Sequence, residues 1–577
     1  MSYQLSKVLI KNFKSCKKTT LNLALYTPFV GYNNAGKSNI IAAIKWFVDG
    51  GTLGREFFYD ESCPIEVETT INGIDADVIS FLTEPNRKKI IPYLDNGKLT
   101  MKRVLNKPSG GRSDQSLFLF NYENTEWKKN PSGIDAAIKG ILPNVLHVEA
   151  MDNSEEDSVK VKSSNTLGQI ISLLIEPVES EHGEKIQGAL EIVREMLHVE
   201  GKDRPSELKQ FDEESSSLLD SFFPGLNLQL HIPTPQVSDL FKNSTIRIRE
   251  GKGLKKFSQL GHGAQRSIQM ALLRYLASKR TSEKGKTLLL IDEPELYLHP
   301  QAIEHLKAAL MDLTHVGFQV LFSTHSPLLI CEKTIADTAL VRKDKVDGTF
   351  SRKRIKDAVE EAIENNQHQA EVIFSLSNSS QVLFCESALL IEGKTEKALL
   401  PFLYERKHRA TPAQHKLAII SQNGSGSVLK SMKVLNAINL PVKSVVDLDF
   451  AFKSNVLNDD NNNIIRCKKI FQENATDIGY LLGNDGFPKN GGSISAAAAY
   501  EWLATTAVQE VENLHNELKA KNIWLWKKGT IETHLKLAEK NNLEWSKFKS
   551  RIEGTSLDIE CRDECLHSLL DWLRNSV

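Results

Sequence analysis

Glu392 and Glu396 flank a short turn, Glu392-Gly393-Lys394-Thr395-Glu396, that follows the apolar run Ala388-Leu389-Leu390-Ile391 and precedes an apolar helix bearing Ala398, Leu399, Leu400, Phe402 and Leu403. A strand, a glycine turn and a helix in that order bring the two carboxylates close in space. Farther on, Ser444-Val445-Val446 leads into Asp447-Leu448-Asp449, whose acids lie at i and i+2 and so share a face at a strand end. Carboxylates crowded at the carboxyl ends of neighbouring parallel strands repel one another unless a divalent cation neutralises them. The residue types therefore predict a metal centre built on Glu392, Glu396, Asp447 and Asp449.

A second chemistry is written near the N-terminus. Gly31-Tyr32-Asn33-Asn34-Ala35-Gly36-Lys37-Ser38 fits the pattern GxxxxGK[ST], after a strand at 28–30 and before a helix with Ile40, Ile41, Ile44, Phe47 and Val48 on its faces. In such a loop the backbone N–H groups close around phosphates, with Asn33, Gly36 and Asn39 as further nucleotide contacts. Lys37 neutralises the β and γ charges, and Ser38 offers a hydroxyl to Mg²⁺. Thr287-Leu288-Leu289-Leu290-Ile291 reads as a buried parallel strand ending in Asp292-Glu293, a Walker B pattern. Asp292 is expected to hold the Mg²⁺ and Glu293 to orient or deprotonate the attacking water. A third strand, Val320-Leu321-Phe322, ends in Ser323-Thr324-His325-Ser326 and sets the His325 imidazole where a γ-phosphate would lie.

These groups need scaffolds that deliver strand ends, and a chain of 577 residues is long enough for several domains. Hydrophobic residues at 41% and charged residues at 25% mark a folded globular protein. With a net charge of −1, binding of any polyanion has to come from local basic patches and metal ions. Seven cysteines without repeated CxxC pairs predict reduced thiols in the cytoplasm. Cys561, Cys565 and His567 could meet on a helix, but without a fourth ligand nearby helix packing is the favoured reading. No apolar run is long enough to span a bilayer, and residues 1–7 lack the pattern of a signal peptide.

Short strands are expected at 5–13, 21–25 and 28–30, an antiparallel portion between 60 and 150, helices over 166–219, and strands again at 226–232 and 245–249. The helical stretch reads either as an ordinary subdomain or as a dimerisation arm. Residues 342–356 are basic and predict a loop, a domain linker able to touch phosphates. Asn423-Gly424-Ser425-Gly426 reads as a phosphate-approaching loop or a plain turn.

With these motifs in order, the N-terminal half resembles the ABC ATPase heads of the RecF and SMC group, and most closely those of the OLD (overcoming lysogenisation defect) nucleases. Asp292-Glu293-Pro294-Glu295-Leu296-Tyr297-Leu298-His299-Pro300 is similar to that group's Walker B loop. The resemblance implies ATP sandwiched between two protomers and completed by a signature motif, here Leu260-Gly261-His262-Gly263-Ala264-Gln265-Arg266, with Gly263 and Gln265 as nucleotide contacts. His262 stands where the signature serine is usual, a departure that favours slow turnover or ATP acting as a switch. The acidic motifs resemble the Toprim fold, whose members in this family are similar to two-metal nucleases. In the stretch Trp524-Leu525-Trp526-Lys527-Lys528-Gly529-Thr530-Ile531-Glu532, the resemblance implies that Glu532 completes the metal set and Lys528 stabilises the phosphorane charge.

The implied architecture is α/β throughout: an ABC ATPase in two parts (1–165 and 226–340) around a helical insertion (166–225, possible dimerisation), a linker (341–380), and a Toprim domain with C-terminal helices (381–577). The implied activity is divalent-metal-dependent DNA cutting by an ATP-binding and ATP-hydrolysing enzyme in phage defence, with Mg²⁺ as the ion and Mn²⁺ or Ca²⁺ able to substitute at the Toprim site, and with ATP open as promoter or restraint of cleavage. The implied partners are DNA and a second copy of the chain. The family also contains members that act alone and members that serve a retron reverse transcriptase with its nucleic acid, or a helicase-like protein. Rival readings are an SMC-like repair ATPase with inert carboxylates, a transesterase and a primase. They call, respectively, for long coiled coils, a tyrosine-bearing second domain, and a zinc module or polymerase partner domain, none of which is evident in the sequence.

Overall fold

All residues of the Tyr26–Val30, Thr287–Ile291 and Phe318–Thr324 strands are buried, the pattern of parallel strands covered on both faces. The computed structural model describes residues 3–574 apart from 112–113, 130, 132–133, 150–165, 234–236, 238–239, 241–245, 251–252, 280–286, 365–379, 423–424, 455, 459 and 556. The proposed loop at Asn423 and Gly424 thus falls outside the described residues.

One large sheet organises the N-terminal half. From one edge its order is Glu126–Lys129, Gln115–Asn121, Lys98–Leu105, Ile65–Asn72, Gln4–Phe13, Cys16–Asn22, Gly348–Ser351, Ala339–Asp344, Tyr26–Val30, Phe318–Thr324, Thr287–Ile291 and Asn144–Val148. The last four strands are parallel, with Ile291 opposite Phe322 and Thr324 opposite Val30. That register releases the P-loop, the Asp292 turn and the His325 loop at the same end of the sheet, where ligands bind in parallel α/β folds. The antiparallel strands alternate buried and half-buried positions along Ile65–Asn72 and pack Ile65, Val67 and Ile71 with Ile40, Ile44 and Phe47 of the Lys37–Asp49 helix.

The structure departs from the sequence expectations at three segments. Residues 144–148 belong to the parallel part of the sheet, beside the Walker B strand, and not to its antiparallel part. Residues 226–232 form no strand: the backbone N–H groups of Leu228 and Leu230 donate to Ser216 Oγ and Asp212 Oδ1, both at 2.9 Å, on the Ser206–Asp220 helix. Alternating leucines therefore imitated a strand in a segment that lies along a helix. Residues 342–356 are likewise no loop but the end of Ala339–Asp344, a turn, Gly348–Ser351 and the start of the Ile355–Ala362 helix. The charge of Arg342 misled, because its buried guanidinium serves backbone carbonyls and not solvent or phosphate. Of 245–249, the described part opens a two-stranded hairpin, Arg247–Glu250 with Gly253–Lys256, apart from the large sheet.

The helical stretch consists of Thr166–Leu197 and Ser206–Asp220. Beyond it the C-terminal third carries its own parallel sheet, ordered Leu417–Ser421, Ser387–Ile391, Val442–Val446, Ile523–Leu525. The two halves share a core: Val30, Leu340, Ile355 and Val359 cluster with Leu383, Leu390, Val442 and Val446. Arg342 fastens the seam, donating to Leu383 O (3.1 Å) and Cys385 O (3.0 Å). Among the described residues no helix is long and apolar enough to cross a membrane.

Candidate functional site

The turn after Tyr26–Val30 depends on two glycines. A Cβ on Gly31 would collide with the Val341 carbonyl, and Gly36 sits at φ 99 against the side chains of Thr349 and Ser15. Lys37 begins the helix and turns its buried ammonium back over the loop, to Gly31 O (3.0 Å), Tyr32 O (3.2 Å) and His325 Nε2 (2.8 Å). Burial pulls its pKa down to about 8, against the attraction of Glu293, Glu295 and Asp292. With Lys37 donating, His325 Nε2 is the acceptor and the ring is neutral, consistent with a pKa lowered by burial and by Lys37. Asn39 Nδ2 donates to Ser15 Oγ (2.6 Å) and Thr349 Oγ1 to Ala35 O (2.9 Å), so a side-chain lattice supports the loop from beneath.

Asp292 accepts from Ser323 Oγ (2.9 Å) and lies 3.5 Å from His147 Nε2. Burial works to raise its pKa, but hydrogen bonds from His147, Ser38 and Ser323 outweigh it and keep the carboxylate charged. Glu293 adopts a left-handed φ of 44 and places Oε1 3.4 Å from His325 Nε2. A non-glycine residue held there costs on the order of 1–3 kcal/mol. Buried Arg266 holds the strained turn, donating to Asp292 O (2.9 Å), Glu293 O (3.2 Å) and Pro294 O (3.3 Å). Glu295 Oε1 in turn accepts from Thr324 Oγ1 (2.8 Å) and the backbone N–H of His325 (2.7 Å), fixing the imidazole loop.

The second site lies at the carboxyl ends of the C-terminal sheet. Glu392 follows Ser387–Ile391, Asp447 follows the adjacent Val442–Val446, and the Asp447 N–H points to Glu392 Oε2 at 3.4 Å. Glu396, one turn into the Lys394–His408 helix, lies buried with its carboxylate against Gly393, where a Cβ would collide with it. Glu532 accepts from Thr395 Oγ1 (2.6 Å) and pairs with Lys540 Nζ (3.1 Å). Burial and the neighbouring charges of Glu396 and Glu392 raise the Asp447 pKa well above the ordinary carboxylate value. Burial, with a contribution from Glu532, raises Glu396 from 4.5 to about 7, a penalty of roughly 3 kcal/mol on its charged form. For Glu532 burial is outweighed by Thr395 and Lys540, and its pKa is lowered.

These residues fit a divalent ion on structural grounds. The buried Oδ1 of Asp447 has no hydrogen-bond partner among the described residues, in a cluster rich in carboxylate oxygen. Because the charged carboxylate is the ligand, metal affinity is expected to fall by up to roughly tenfold per pH unit as pH drops below about 7, the Glu396 value. Calorimetric Mn²⁺ titrations from about pH 6 to about pH 8 check this, and a flat profile would remove Glu396 from the ligand set.

A profile described as "AAA ATPase domain" matches residues 4–134 and 86–330, and one described as "Overcoming lysogenization defect protein-like, TOPRIM domain" matches residues 383–449. The Old nuclease of Escherichia phage P2 is 36% identical over 598 aligned positions spanning 100% of both chains. The chain belongs to the OLD family. Endonuclease GajA of Bacillus cereus is 23% identical, over 68% of this chain and 66% of that protein. Among solved structures, an SMC head bound to the C-winged helix domain of ScpA aligns with 17% identity and a TM-score of 0.37, covering 61% of this chain and 99% of that one. As an OLD-family member the protein is an ATPase and a nuclease, and its two domains imply use of a nucleotide and a divalent metal.

Within this OLD-family fold, Lys37, Asp292, Glu293 and His325 converge, with Ser38 hydrogen-bonded to Asp292, and Glu392, Glu396, Asp447 and Glu532 form the acidic cluster. Asp449 sits at the rim, paired with Lys453 Nζ at 2.7 Å. Gly263 abuts the Tyr297 carbonyl in the loop after the Walker B acids, while Gln265 Nε2 donates within its own segment to Leu260 O (2.8 Å). His262 stacks on Tyr297 with centroids 4.8 Å apart. Lys528 is not drawn to the acids; its ammonium bonds Asp563 Oδ2 at 2.7 Å, and the lysine beside the cluster is Lys540. Sequence reasoning missed Lys540, which lies in a polar stretch without a motif, and the supporting roles of His147, Arg266, Glu295 and Thr395. The last three stood inside quoted motifs, so they were visible but not weighed.

Proposed function

We propose that this OLD-family enzyme is a DNA endonuclease that uses Mg²⁺, with Mn²⁺ or Ca²⁺ able to replace it, and serves in defence against phage. The observation carrying the reading is the buried, repelling set Glu392, Glu396, Asp447 and Glu532 with the unpartnered Asp447 Oδ1. These residues and Asp449 would hold the ions. Bound divalent ions supply polarisation of the scissile phosphate and a water of lowered pKa. Lys540, whose pKa is raised through Glu532, Asp447 and Glu396 against the effect of burial, brings a fixed positive charge to the edge of the cluster where a phosphate would approach. In the head, Lys37 and Ser38 are assigned to ATP and Mg²⁺, Asp292 to the ion, Glu293 to the water and His325 to the γ-phosphate.

The same reading makes the active unit a dimer through the ATPase half, with Gly263 and Gln265 serving the partner's nucleotide. Exposed Ile192, Met196, Phe211 and Leu218 on the helical insertion offer apolar surface for that contact. Free thiols suit a reducing compartment, the cytoplasm in this reading. A reverse transcriptase with its nucleic acid, as in a retron, or a helicase-like protein is the class of defence partner that the family supplies.

The test is incubation of the purified protein with supercoiled DNA, linear DNA and RNA in Mg²⁺, with a chelator control. DNA cutting that the chelator abolishes is expected. Cutting of RNA alone, or chelator-resistant cutting, would overturn the assignment.

A further inference from the structure

The C-terminal helices are tied to the acidic cluster by a closed ring of hydrogen bonds. Trp526 N–H continues the Ile523–Leu525 strand by donating to Val446 O (3.0 Å), and Gly529 O accepts from Leu448 N–H (2.8 Å), between Asp447 and Asp449. The 526–529 turn therefore touches the backbone that aims both aspartates, and it leads directly into the Ile531–Leu535 helix that carries Glu532. Gly529 adopts φ 108, and a Cβ there would strike Glu501 Cγ at 2.6 Å, so the turn has little latitude.

One imidazole fastens this turn. His534, fully buried, accepts the Lys528 N–H at Nε2 (3.1 Å) and meets Asp563 Oδ1 at Nδ1 (2.9 Å). Asp563 Oδ2 takes the Lys528 ammonium (2.7 Å), and Oδ1 also accepts the Leu566 N–H (2.9 Å) at the head of the Glu564–Arg574 helix. With Nε2 accepting, Nδ1 carries the proton, so the carboxylate fixes both ring orientation and tautomer. Cys565 lies close enough for His534, Asp563 and Cys565 to offer atoms within 4.8 Å of one another. Both nitrogens of His534 already have protein partners, however, so the cluster is complete as a hydrogen-bond ring without an ion.

We propose that Asp563 and His534 are positioning residues for the nuclease metal site: the C-terminal helix, through this ring, sets the 526–532 turn and with it Glu532 and the Asp447–Asp449 backbone. The proposal rests on the reading of the acidic cluster as the metal centre. Partners hydrogen-bonded directly to metal ligands are typically worth about 10–100-fold in metal affinity, and a ring acting through the backbone is expected at the lower end of that range.

The experiment compares wild type, Asp563→Asn, Lys528→Met and Asp447→Ala by Mn²⁺ calorimetry, Mg²⁺ dependence of DNA cutting, ATP hydrolysis and thermal melting. Asp563→Asn should weaken Mn²⁺ binding and raise half-saturating Mg²⁺ by about tenfold or more, with the rate at saturating Mg²⁺ within about threefold of wild type. ATP hydrolysis should be unchanged. Lys528→Met, altering an exposed side chain, should shift metal binding in the same direction by less. If Asp563→Asn does not fold, Lys528→Met decides alone. Wild-type Mn²⁺ affinity in these folded variants overturns the proposal, as does loss of cutting by Lys528→Met with metal binding intact, which would make the lysine act on phosphate directly. Stoichiometric zinc in the wild-type protein also overturns it, because the ring would then be an ion site. Should Asp447→Ala cut and bind Mn²⁺ normally, the underlying reading of the metal centre fails instead.

Discussion

Asp447→Ala is expected to lose DNA cutting by about a thousandfold or more while binding ATP like the wild type. The carboxylate is at the centre of the acidic cluster, beside Glu392 and close to Glu396, and its Oδ1 has no protein partner. The same residue should destabilise the protein when metal is withheld. Its folded pKa lies above the unfolded value of 3.8, so its contribution to stability is present at low pH and lost as pH rises through the folded pKa. The charged form is therefore a liability that a bound cation removes. Asp447→Asn should accordingly melt roughly 2 °C or more above wild type in chelator, and should lose most of the stabilisation that added Mg²⁺ gives the wild type. Melting curves with and without metal, beside a cutting assay, decide the matter. A variant that cuts normally, or melts lower in chelator and still gains from Mg²⁺, would remove Asp447 from the centre.

Lys37→Ala should weaken ATP binding by about a hundredfold or more and abolish hydrolysis, because among the described residues no other cationic side chain is hydrogen-bonded into the P-loop. The wild type carries a further signature. The Lys37 pKa of about 8 means that above this pH the neutral amine must take up a proton to hold phosphate as an ammonium. ATP affinity should be flat below about pH 8 and decline above it, by up to roughly tenfold per unit. In the nucleotide-free protein the sign is opposite: the folded pKa lies below the ordinary 10.5, so Lys37's contribution to stability grows as pH rises between the two values. Fluorescent-nucleotide titrations test the first statement, and denaturant melts of the nucleotide-free protein between about pH 8 and about pH 10 test the second. Unchanged nucleotide binding in Lys37→Ala would show that the loop is not the phosphate cradle.

Much of this was legible in the sequence because phosphate and metal chemistry demand particular residues at strand ends. The P-loop glycines and Lys37, the Asp292-Glu293 pair and the Glu392 and Asp447 motifs all follow short, largely apolar and buried strands, and such runs point to parallel strands. What escaped was long-range pairing. Nothing local distinguishes Asn144–Val148 as a parallel neighbour of Thr287–Ile291, or Lys540 as the partner of Glu532, because in each case the contact is decided by the fold. Lys528 is the converse case: an adjacent lysine in a motif reads as catalytic, while in the fold its ammonium meets Asp563, the residue just before the last helix, a contact no local pattern announces. Buried charge also misleads, as Arg342 does, since a basic residue bonded to carbonyls reads in sequence like a solvated one.

The common core beneath the two active centres restricts how they can influence each other. Val30, the last residue before the P-loop, packs in one apolar mass with Leu390 and Val446, which immediately precede Ile391 and Asp447. Prying the halves apart would wet several large side chains at roughly 1.5–3 kcal/mol each, besides breaking the bonds of Arg342. A swinging hinge between head and nuclease is thus energetically unfavourable. Any message from nucleotide to blade has to pass as a small repacking through a shared chassis, or between one protomer and the next.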